Sequence, residues 1–393
     1  MCSLNDRDRD ATTMAPVQAA IKSEWRKLPV PLGELCISTV LRCGQSFRWK
    51  LSGPDEWSCA LKGRILSLRQ DSSALHYRSI FPSHVSAGED DTAELLRDYF
   101  NLSIDLTGLY ATWSSRDANF SKKAPAFAGV RILRQDPWEN VVSFICSSNN
   151  NIARISQMVA NLCLTWGPRL GELEGTVYHD FPQPQALVAS GVEQKLRGLG
   201  FGYRAKYIAA AAKMVVEDRP EGWLMGLREV GYREAHEALL QLPGVGPKVA
   251  DCVCLMSLDK TGAVPVDTHV LQIAQRDYGF GKTKNKTLTK ATYDAIGEHF
   301  RKLWGDEAGW AHSVLFTADL RAFSERLVVK TEETTETETV STKKKRVRKE
   351  ANGEGPEVVE EKKNKVKKVK VEVDLDRLEV ATTLAERVKR RRR

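Results

Sequence analysis

The sequence predicts an α+β protein in which an N-terminal antiparallel, twisted β-sheet is followed by an all-α domain and a disordered basic tail. Three observations support this fold class. Short runs of alternating apolar and polar residues, separated by turn-formers, fill the early part of the chain. Apolar residues at helical spacing dominate the middle, and charged residues with little apolar content dominate the end. With 393 residues, the chain is long enough for two domains and a tail.

The alternating runs predict the strands of an antiparallel meander. Residues 1–23, which precede them, show no hydrophobic periodicity and indicate a flexible N-terminal arm. Turn-forming residues such as those at 52–55 separate consecutive runs. We therefore predict an antiparallel α+β domain over residues 24–125, with strands in Ser46–Leu51, Trp57–Lys62, Ile65–Arg69 and Ala74–Ser79.

The periodicity becomes helical after Asp91. Asp136 and Pro137 supply an N-cap and a first-turn proline for a later helix. The helix after that one is marked by apolar residues at spacings of 3, 4 and 3, namely Ile152, Ile155, Val159 and Leu162. Similar helical patterns recur in 207–216, 235–242 and 296–304. The chain should therefore be helical from about 126 to 325, as a second domain over residues 126–327.

The positive charge of the chain is concentrated in its tail. The formal net charge is +8, but residues 330–393 hold 20 of the 59 basic and 14 of the 51 acidic residues. The remaining 39 basic and 37 acidic residues give the folded part a charge of only +2. Any affinity for nucleic acid in the folded part must therefore come from local clustering and backbone donors.

Residues 328–393 predict a disordered charged tail with nuclear localisation signals. Their apolar surface is too small to offset chain entropy. Compact basic runs occur at 343–349, 362–371 and 389–393, and runs of this kind serve in nuclear import. We expect a nuclear protein. A mitochondrial isoform is not supported by this N-terminus, because Asp6, Asp8 and Asp10 are acids that presequences avoid.

The cysteine pattern excludes several classes of protein. Eight cysteines are scattered through the chain without a C-x2-C pair, which favours a reducing compartment. We predict neither an iron–sulfur cluster nor a structural zinc, and a redox or metal enzyme is disfavoured because clustered Cys and His ligands are absent from the sequence. No apolar run approaches the roughly 20 residues of a membrane helix.

The segment Leu242–Cys252 carries the first chemical signal. A Pro-Gly-x-Gly turn opens a helix there, so backbone N–H groups and the positive helix end can hold a phosphate. Pro247 suits the first helical position. Lys248 follows in the first turn, where the helix dipole favours the neutral amine, which is the nucleophilic form. A lysine nucleophile is therefore predicted, with a plain phosphate contact as the alternative.

The segment Val264–His269 supplies a carboxylate. Asp267 precedes a helical pattern and is therefore predicted to be an N-cap residue, held by backbone N–H groups. A fixed anion stabilises a developing cation. A purely capping role is the alternative for Asp267. The carboxylate lies 19 residues after the lysine.

This pair resembles the signature of the helix-hairpin-helix DNA glycosylase superfamily, in which the lysine marks members that also nick the strand. Further segments narrow the resemblance to the eukaryotic 8-oxoguanine DNA glycosylase/AP lyase family. They occur in the family's order across residues 25–325 and comprise Gly44–Trp49, Arg131–Pro137, Ser143–Arg154, Gly202–Ala205 and Trp310–Leu320.

The resemblance implies a bifunctional DNA repair enzyme. Such an enzyme excises 8-oxoguanine, and related oxidised purines such as formamidopyrimidine-guanine, paired with cytosine. It then nicks the strand through a Schiff base and β-elimination. Catalysis is assigned to Lys248 as nucleophile and Asp267 as the carboxylate that stabilises positive charge on the sugar.

The resemblance also assigns binding roles. Because a base inside a duplex is unreachable, it must be extruded into a pocket. Pocket positions are Gly44, Cys252, Met256, His312 and Phe316, with the Gly44 carbonyl accepting the N7–H of the oxidised base and Cys252 and Phe316 stacking on it. Tyr203 is the wedge beside the lesion, and Asn149, Arg154 and Arg204 engage the cytosine. DNA backbone contacts are assigned to Gly244, Val245, Gly246 and His269.

Several of these residues have simpler interpretations. Gly44 alone would be a turn residue, Asn149 part of a capping loop, Tyr203 a core residue and Cys252 an inert core thiol. His269 could equally start a helix without touching DNA. The matched segments around them favour the functional roles.

One position departs from the family. His312 stands where a glutamine normally reads the Watson–Crick edge of the base. Neutral imidazole also donates and accepts, but with another reach, so each hydrogen bond lost should cost about 0.5–1.5 kcal/mol. Because protonation would leave only donors, we expect the affinity for lesion duplex to depend on pH between about 5.5 and 7.5.

The Lys248 and Asp267 pair disfavours two other functions. A non-catalytic helix-hairpin-helix DNA-binding protein would need neither Lys248 nor Asp267, and a monofunctional alkylated-base glycosylase would lack the lysine. The family resemblance implies double-stranded DNA with oxidised guanine opposite cytosine as the partner. It is compatible with other base excision repair proteins, a monomer and no membrane. It implies no cofactor, and is compatible with a monovalent or divalent cation at the hairpin.

Overall fold

The structure is a computed structural model that describes residues 21–82, 90–280 and 288–327. The predicted tail at 328–393 lies outside the described residues, as does the predicted arm at 1–23 except for its last three residues. The described chain forms antiparallel strands followed by helices, so the predicted α+β class is confirmed.

The described strands and helices are numbered in chain order. The strands are β1 (Ile21–Lys22), β2 (Arg26–Pro29), β3 (Lys50–Leu51), β4 (Trp57–Leu61), β5 (Arg64–Gln70), β6 (Ala74–Phe81), β7 (Arg169–Leu173) and β8 (Thr176–His179). The helices of the first half are α1 (Ile37–Val40), α2 (Thr92–Tyr99), α3 (Leu106–Arg116), α4 (Ala118–Lys123), α5 (Pro137–Ser147), α6 (Ile152–Trp166) and α7 (Val192–Gly198). Those of the second half are α8 (Arg204–Glu217), α9 (Trp223–Gly226), α10 (Tyr232–Leu239), α11 (Pro247–Ser257), α12 (Thr268–Tyr278), α13 (Lys290–Trp304) and α14 (Ala308–Asp319). Short 3-10 helices cover Ala124–Phe127, Pro184–Leu187 and Arg321–Leu327.

The first sheet is antiparallel, with strand order β1-β6-β5-β4-β3, and β2 also pairs with β6. The predicted meander corresponds to β3 through β6, while β1 and β2 were not predicted. Only the last two residues of the run Ser46–Leu51 form a strand. The segment before them packs on residues 131–135 instead, because the Gln45 amide donates to the Arg131 carbonyl at 2.9 Å and accepts from Leu133 N–H at 2.9 Å.

The second half of the described chain is helical, as predicted, with one correction. Strands β7 and β8 form an antiparallel hairpin within it, closed by Glu174 and Gly175 at positive φ. The hairpin packs Leu173 and Tyr178 against the first sheet, on Ala60, Ile65 and Ile80. Strands of four or five residues show too little alternation to be recognised against the helical pattern on either side.

Local signals define the starts of the helices that carry the site. Asp136 accepts from Glu139 N–H at 3.0 Å, and Pro137 occupies the first position of α5. Asn151 caps α6 by accepting from Arg154 N–H at 3.0 Å. Helix α5 is buried along most of its length and packs against α11, which places it at the centre of the helical core. No described helix is long and apolar enough to cross a membrane.

A buried ion pair joins the segment that follows Gly44 to this central helix. The Arg48 guanidinium donates from Nε and Nη2 to the two carboxylate oxygens of Glu139, at 2.8 and 2.6 Å. Both side chains are less than a tenth exposed. Arg48 also lies 3.3 Å from Asp180 through Nη1. The bidentate geometry satisfies both charges, which burial otherwise penalises.

We predict that Arg48→Ala lowers the free energy of unfolding by about 3–5 kcal/mol, because it leaves the Glu139 carboxylate buried without its partner. Urea unfolding followed by circular dichroism measures this. The control is Arg233→Ala, which breaks the exposed pair with Glu237, where the side chains are 91% and 61% exposed. That change should cost less than about 1 kcal/mol. Equal costs for the two variants would contradict the role assigned to the buried pair.

Candidate active site

A pocket opens where the turn before Arg48 meets the helical core. Its space, including the open mouth, is about 480 Å³. The turn at 43–45, helices α5, α11 and α14, and the start of α12 form its walls. The lining residues are Cys43, Gly44, Gln45, Phe144, Lys248, Cys252, Leu255, Met256, Pro265, Asp267, His312, Ser313, Phe316 and Thr317. The structure therefore brings together all seven residues predicted for catalysis and the base pocket.

Lys248 enters the pocket from the first turn of α11. Its Nζ donates to Ser147 Oγ at 3.2 Å and lies 4.9 Å from the ring centroid of Phe144. Within the described part of the chain, no carboxylate lies within ion-pair distance of this amine. The amine is therefore positioned by a neutral hydroxyl and a ring face, which leaves it available to a bound molecule.

The sequence analysis predicted no individual role for Ser147 or Phe144. Both belong to the segment that carried the family resemblance. Their contacts with Lys248 depend on the packing of α5 against α11, which a local sequence pattern does not contain.

Asp267 enters the same pocket as the N-cap of α12. Its Oδ1 accepts from His269 N–H and Val270 N–H, both at 2.9 Å. Its Oδ2 accepts no hydrogen bond from the described residues. One oxygen thus fixes the carboxylate to the helix start, and the other remains free to face developing positive charge in the pocket.

Cys252 lies one turn after Lys248 on α11 and is buried. Burial raises the pKa of its thiol to about 11, although the nearby Lys248 charge opposes the shift. The side chain is thus a neutral, polarisable group in the pocket wall, suited to stacking on a flat ring.

His312 is 6% exposed on α14, and neither ring nitrogen has a hydrogen-bond partner among the described residues. Burial lowers the pKa of the imidazole to about 4, with His269 and Lys248 acting in the same direction and Asp267 against it. The expected titration between pH 5.5 and 7.5 is therefore wrong for the unbound protein. Burial outweighs the nearby carboxylate and keeps the ring neutral across that range.

Gly44 has a backbone conformation that glycine favours, with φ of +91°. A Cβ there would lie 3.2 Å from Ile152 Cδ1 and 4.0 Å from Phe316 Cε1. A side chain at this position would therefore be strained and would crowd the wall beside Phe316. The glycine keeps this edge of the pocket open to backbone contact.

His269 and Phe316 form another wall of the site. Their rings pack edge to face, with centroids 5.3 Å apart. His269 Nε2 also lies 3.1 Å from Asp319 Oδ2, an ion-pair distance without hydrogen-bond geometry. Asp319 was not singled out by the sequence, since an acid at the end of a helix has no distinctive signal.

A second cluster lies at the start of α8. Tyr203 is 51% exposed, and its hydroxyl donates to the Ser148 carbonyl at 3.2 Å. The Arg204 guanidinium lies under the Tyr203 ring at 4.6 Å and donates to the carbonyls of Ser148 and Asn149. Asn149 is exposed with φ of +48°, and Arg154 is exposed in the first turn of α6. Tyr203, the predicted wedge, and Arg204 therefore both contact the loop that carries Asn149, and the Arg204 guanidinium is bonded to backbone carbonyls there.

The turn between α10 and α11 carries the backbone predicted to bind an anion, with the Val245 N–H already bonded inside the turn. Gly244 has φ of +83°, Val245 N–H donates to the Leu242 carbonyl at 3.1 Å, and Gly246 is the N-cap of α11. The turn therefore presents glycine backbone at a helix N-terminus, where backbone donors and the helix dipole favour a phosphate.

Over the described ranges, no group of three or more His, Cys, Asp or Glu side chains is arranged to hold a metal ion. The seven cysteines in these ranges are all buried and none is in a disulfide.

Comparisons with known proteins match this architecture. Residues 27–141 match the family described as 8-oxoguanine DNA glycosylase, N-terminal domain, and residues 142–298 match the HhH-GPD superfamily of base excision DNA repair proteins. The N-glycosylase/DNA lyase of Saccharomyces cerevisiae is 39% identical over 334 residues, covering 76% of this chain and 86% of the relative. The N-glycosylase/DNA lyase OGG1 of Arabidopsis thaliana is 40% identical over 304 residues, covering 76% and 81%.

A solved structure is similar over most of the described chain. It is that of the Clostridium acetobutylicum 8-oxoguanine glycosylase/lyase in complex with double-stranded DNA containing cytosine opposite 8-oxoguanine. Its sequence is 28% identical, its TM-score is 0.63, and the match covers 72% of this chain and 91% of that one.

We predict that the stability of the unbound protein falls more steeply with acid than that of the His312→Gln variant. The folded-state pKa of His312, about 4, lies below the ordinary value of 6.5, so the unfolded chain binds more protons between these values. The contribution of this group is present above pH 6.5 and is lost as the pH falls towards 4, at no more than about 1.4 kcal/mol per pH unit. Urea unfolding at pH 7, 6, 5 and 4.5 measures the difference. Parallel curves for the two proteins would contradict the buried neutral ring.

Proposed function

This chain belongs to the N-glycosylase/DNA lyase family, with an 8-oxoguanine DNA glycosylase N-terminal domain and a base excision HhH-GPD domain, and from that membership we propose that it excises 8-oxoguanine paired with cytosine and then cuts the strand. The observation that carries the proposal is that Lys248 and Asp267 line one pocket, each at the start of a helix. A fold of this family without these two groups would bind DNA but could not perform both reactions.

Recognition begins with extrusion of the oxidised base into the pocket. We propose that the Gly44 carbonyl accepts the N7–H of 8-oxoguanine, where unmodified guanine would bring a second acceptor. Cys252 and Phe316 cover the ring faces, Met256 lines the pocket, and neutral His312 meets the Watson–Crick edge. Related oxidised purines such as formamidopyrimidine-guanine, which also offer a donor at this position, fit the same proposal.

Base release uses the amine and the carboxylate together. The unprotonated Lys248 amine forms a bond to C1′ while the C1′–N9 bond breaks, and the electron pair of that bond leaves with the base. The base takes up a proton, and the attacking nitrogen gives one up, so the step balances. Positive charge develops on the sugar in the transition state. Asp267, fixed through Oδ1, stabilises that charge without needing to move.

Strand cleavage follows from the covalent bond to lysine. When the sugar ring opens, the amine and C1′ form a Schiff base, which makes the C2′ proton acidic. Loss of this proton and departure of the 3′ phosphate constitute β-elimination, and water then hydrolyses the Schiff base and restores the amine. We propose that no cofactor takes part, since the lysine imine itself accepts the electron pair that the departing C2′ proton leaves behind.

The remaining contacts hold the duplex. We propose that Gly244, Val245, Gly246 and His269 contact the DNA backbone, that Tyr203 fills the space left by the base, and that Asn149, Arg154 and Arg204 engage the cytosine. Arg204 donates to loop carbonyls in the unbound protein, so its contact with cytosine requires it to exchange these partners. A cation bound by the hairpin turn, a monomeric enzyme and association with other repair proteins are compatible with the proposal.

The alternative of a non-catalytic DNA-binding protein is disfavoured by Lys248 and Asp267, and one experiment tests it against the proposed function. We predict that Lys248→Gln abolishes both borohydride trapping and base excision on a duplex with 8-oxoguanine opposite cytosine, because the amide cannot attack C1′. Binding of the same duplex should be largely retained. Denaturing gels measure trapping and excision, and fluorescence anisotropy measures binding.

The control for this experiment is Lys302→Gln, which makes the same change at a side chain that is 75% exposed on α13, outside the pocket. Excision by Lys248→Gln at the wild-type rate would remove the lysine from the mechanism. Absence of any excision by the wild-type protein would favour the non-catalytic alternative.

We also propose that the basic runs in residues 328–393 direct nuclear import. Deleting these residues should lower the nuclear fraction of a fluorescent fusion, because the runs at 343–349, 362–371 and 389–393 are lost together. Excision at low salt should be retained, since every pocket residue lies before position 328. An unchanged nuclear fraction would contradict the proposal.

A further inference from the structure

An exposed tyrosine lies between Tyr203, the proposed wedge, and the turn that joins α10 to α11. The proposed mechanism does not use it. Tyr207 is on α8, one turn after Tyr203, and is 39% exposed. Large exposed aromatic side chains usually mark contact surfaces or bind neighbouring groups. It contacts Gly244 on one side and Tyr203 on the other.

On one side, Tyr207 supports the turn between α10 and α11, which carries Gly244. A Cβ built on Gly244 would lie 2.6 Å from Tyr207 Cβ and 2.8 Å from Cγ, so the glycine backbone rests directly against this side chain. Gly244 also has φ of +83°. Conformation and close approach both require glycine here, and the close approach is to Tyr207.

On the other side, Tyr207 contacts the wedge. Its ring packs edge to face on Tyr203, with centroids 6.2 Å apart and planes at 77°. Tyr203 is held in turn by its hydrogen bond to the Ser148 carbonyl and by the Arg204 guanidinium. A continuous series of contacts therefore runs from Gly244 through Tyr207 and Tyr203 to the loop at 148–149.

We propose that Tyr207 is a positioning residue that holds the Gly244 turn and the Tyr203 wedge at a fixed separation during base extrusion. This inference rests on the proposed function. Extrusion requires the turn to bind the DNA backbone while the wedge enters the duplex. A change in the distance between the turn and the wedge therefore slows extrusion directly. Cleavage at an existing abasic site needs no extrusion of a base and should depend on this separation much less.

The test compares two single-turnover rates for each variant. One is excision from a duplex with 8-oxoguanine opposite cytosine, and the other is strand cleavage of a duplex with a preformed abasic site opposite cytosine. In Tyr207→Ala, we expect the rate of excision to fall roughly tenfold or more, because the aromatic pair is lost. The factor by which excision falls should be at least about five times the factor by which abasic-site cleavage falls. Tyr207→Phe keeps both ring contacts and should restore the wild-type ratio of the two rates.

Two further variants serve as controls for this comparison. Leu164→Ala removes an apolar side chain that is 63% exposed on α6, outside the contact series, and should leave the ratio of rates at its wild-type value. If Tyr207→Ala does not fold, Tyr207→Leu keeps bulk beneath Gly244 but removes the aromatic edge, and should show the same selective loss of excision.

Equal loss of both rates, or no loss of either, would overturn the positioning role while leaving the proposed function intact. A wild-type protein that cleaves abasic duplex but never excises 8-oxoguanine would overturn the proposed function and this inference with it. Selective loss of excision, together with rescue by phenylalanine, would support the inference.

Discussion

The buried pair of Arg48 and Glu139 is the constraint on which the pocket depends. Arg48 follows the turn that carries Gly44, and Glu139 lies in the first turn of the helix whose far end carries Phe144 and Ser147. One wall of the pocket therefore comes from the segment leading into the sheet and the opposite walls from the helical core. Since the separation of these walls determines whether a planar base fits, a rigid bidentate contact near their junction has a direct effect on function.

Within that frame, two helix starts bring the chemistry together. The amine stands in the first turn of α11, where Ser147 and Phe144 position it, and the carboxylate caps α12, where backbone N–H groups hold it. Asp267 also serves the local structure: it satisfies two orphan N–H groups, while its second oxygen accepts no hydrogen bond from the described residues. The residue proposed for catalysis is thus also a helix cap, so Asp267→Ala would change both activity and stability.

The sequence predicted much of this arrangement because its signals are local. Caps, a first-turn proline and a glycine turn determine where α5, α11 and α12 begin, and all three helices start where those signals lie. The missed features depend on distant partners. Gln45 removes residues 46–49 from the sheet by bonding to residues 131–133, the β7–β8 hairpin is defined by its contact with the first sheet, and the pKa of His312 is set by burial beneath other helices. No window of neighbouring residues contains these contacts.

The buried cysteines have a consequence for an enzyme that repairs oxidative damage. Burial raises the pKa of six thiols, those of Cys43, Cys59, Cys146, Cys163, Cys252 and Cys254. Peroxides attack the thiolate and hardly react with the protonated thiol, and they must also reach the sulfur. Peroxides therefore find little thiolate in the folded core. Cys252 illustrates the point, because it lines the pocket with a soft sulfur surface while remaining a poor target for peroxides.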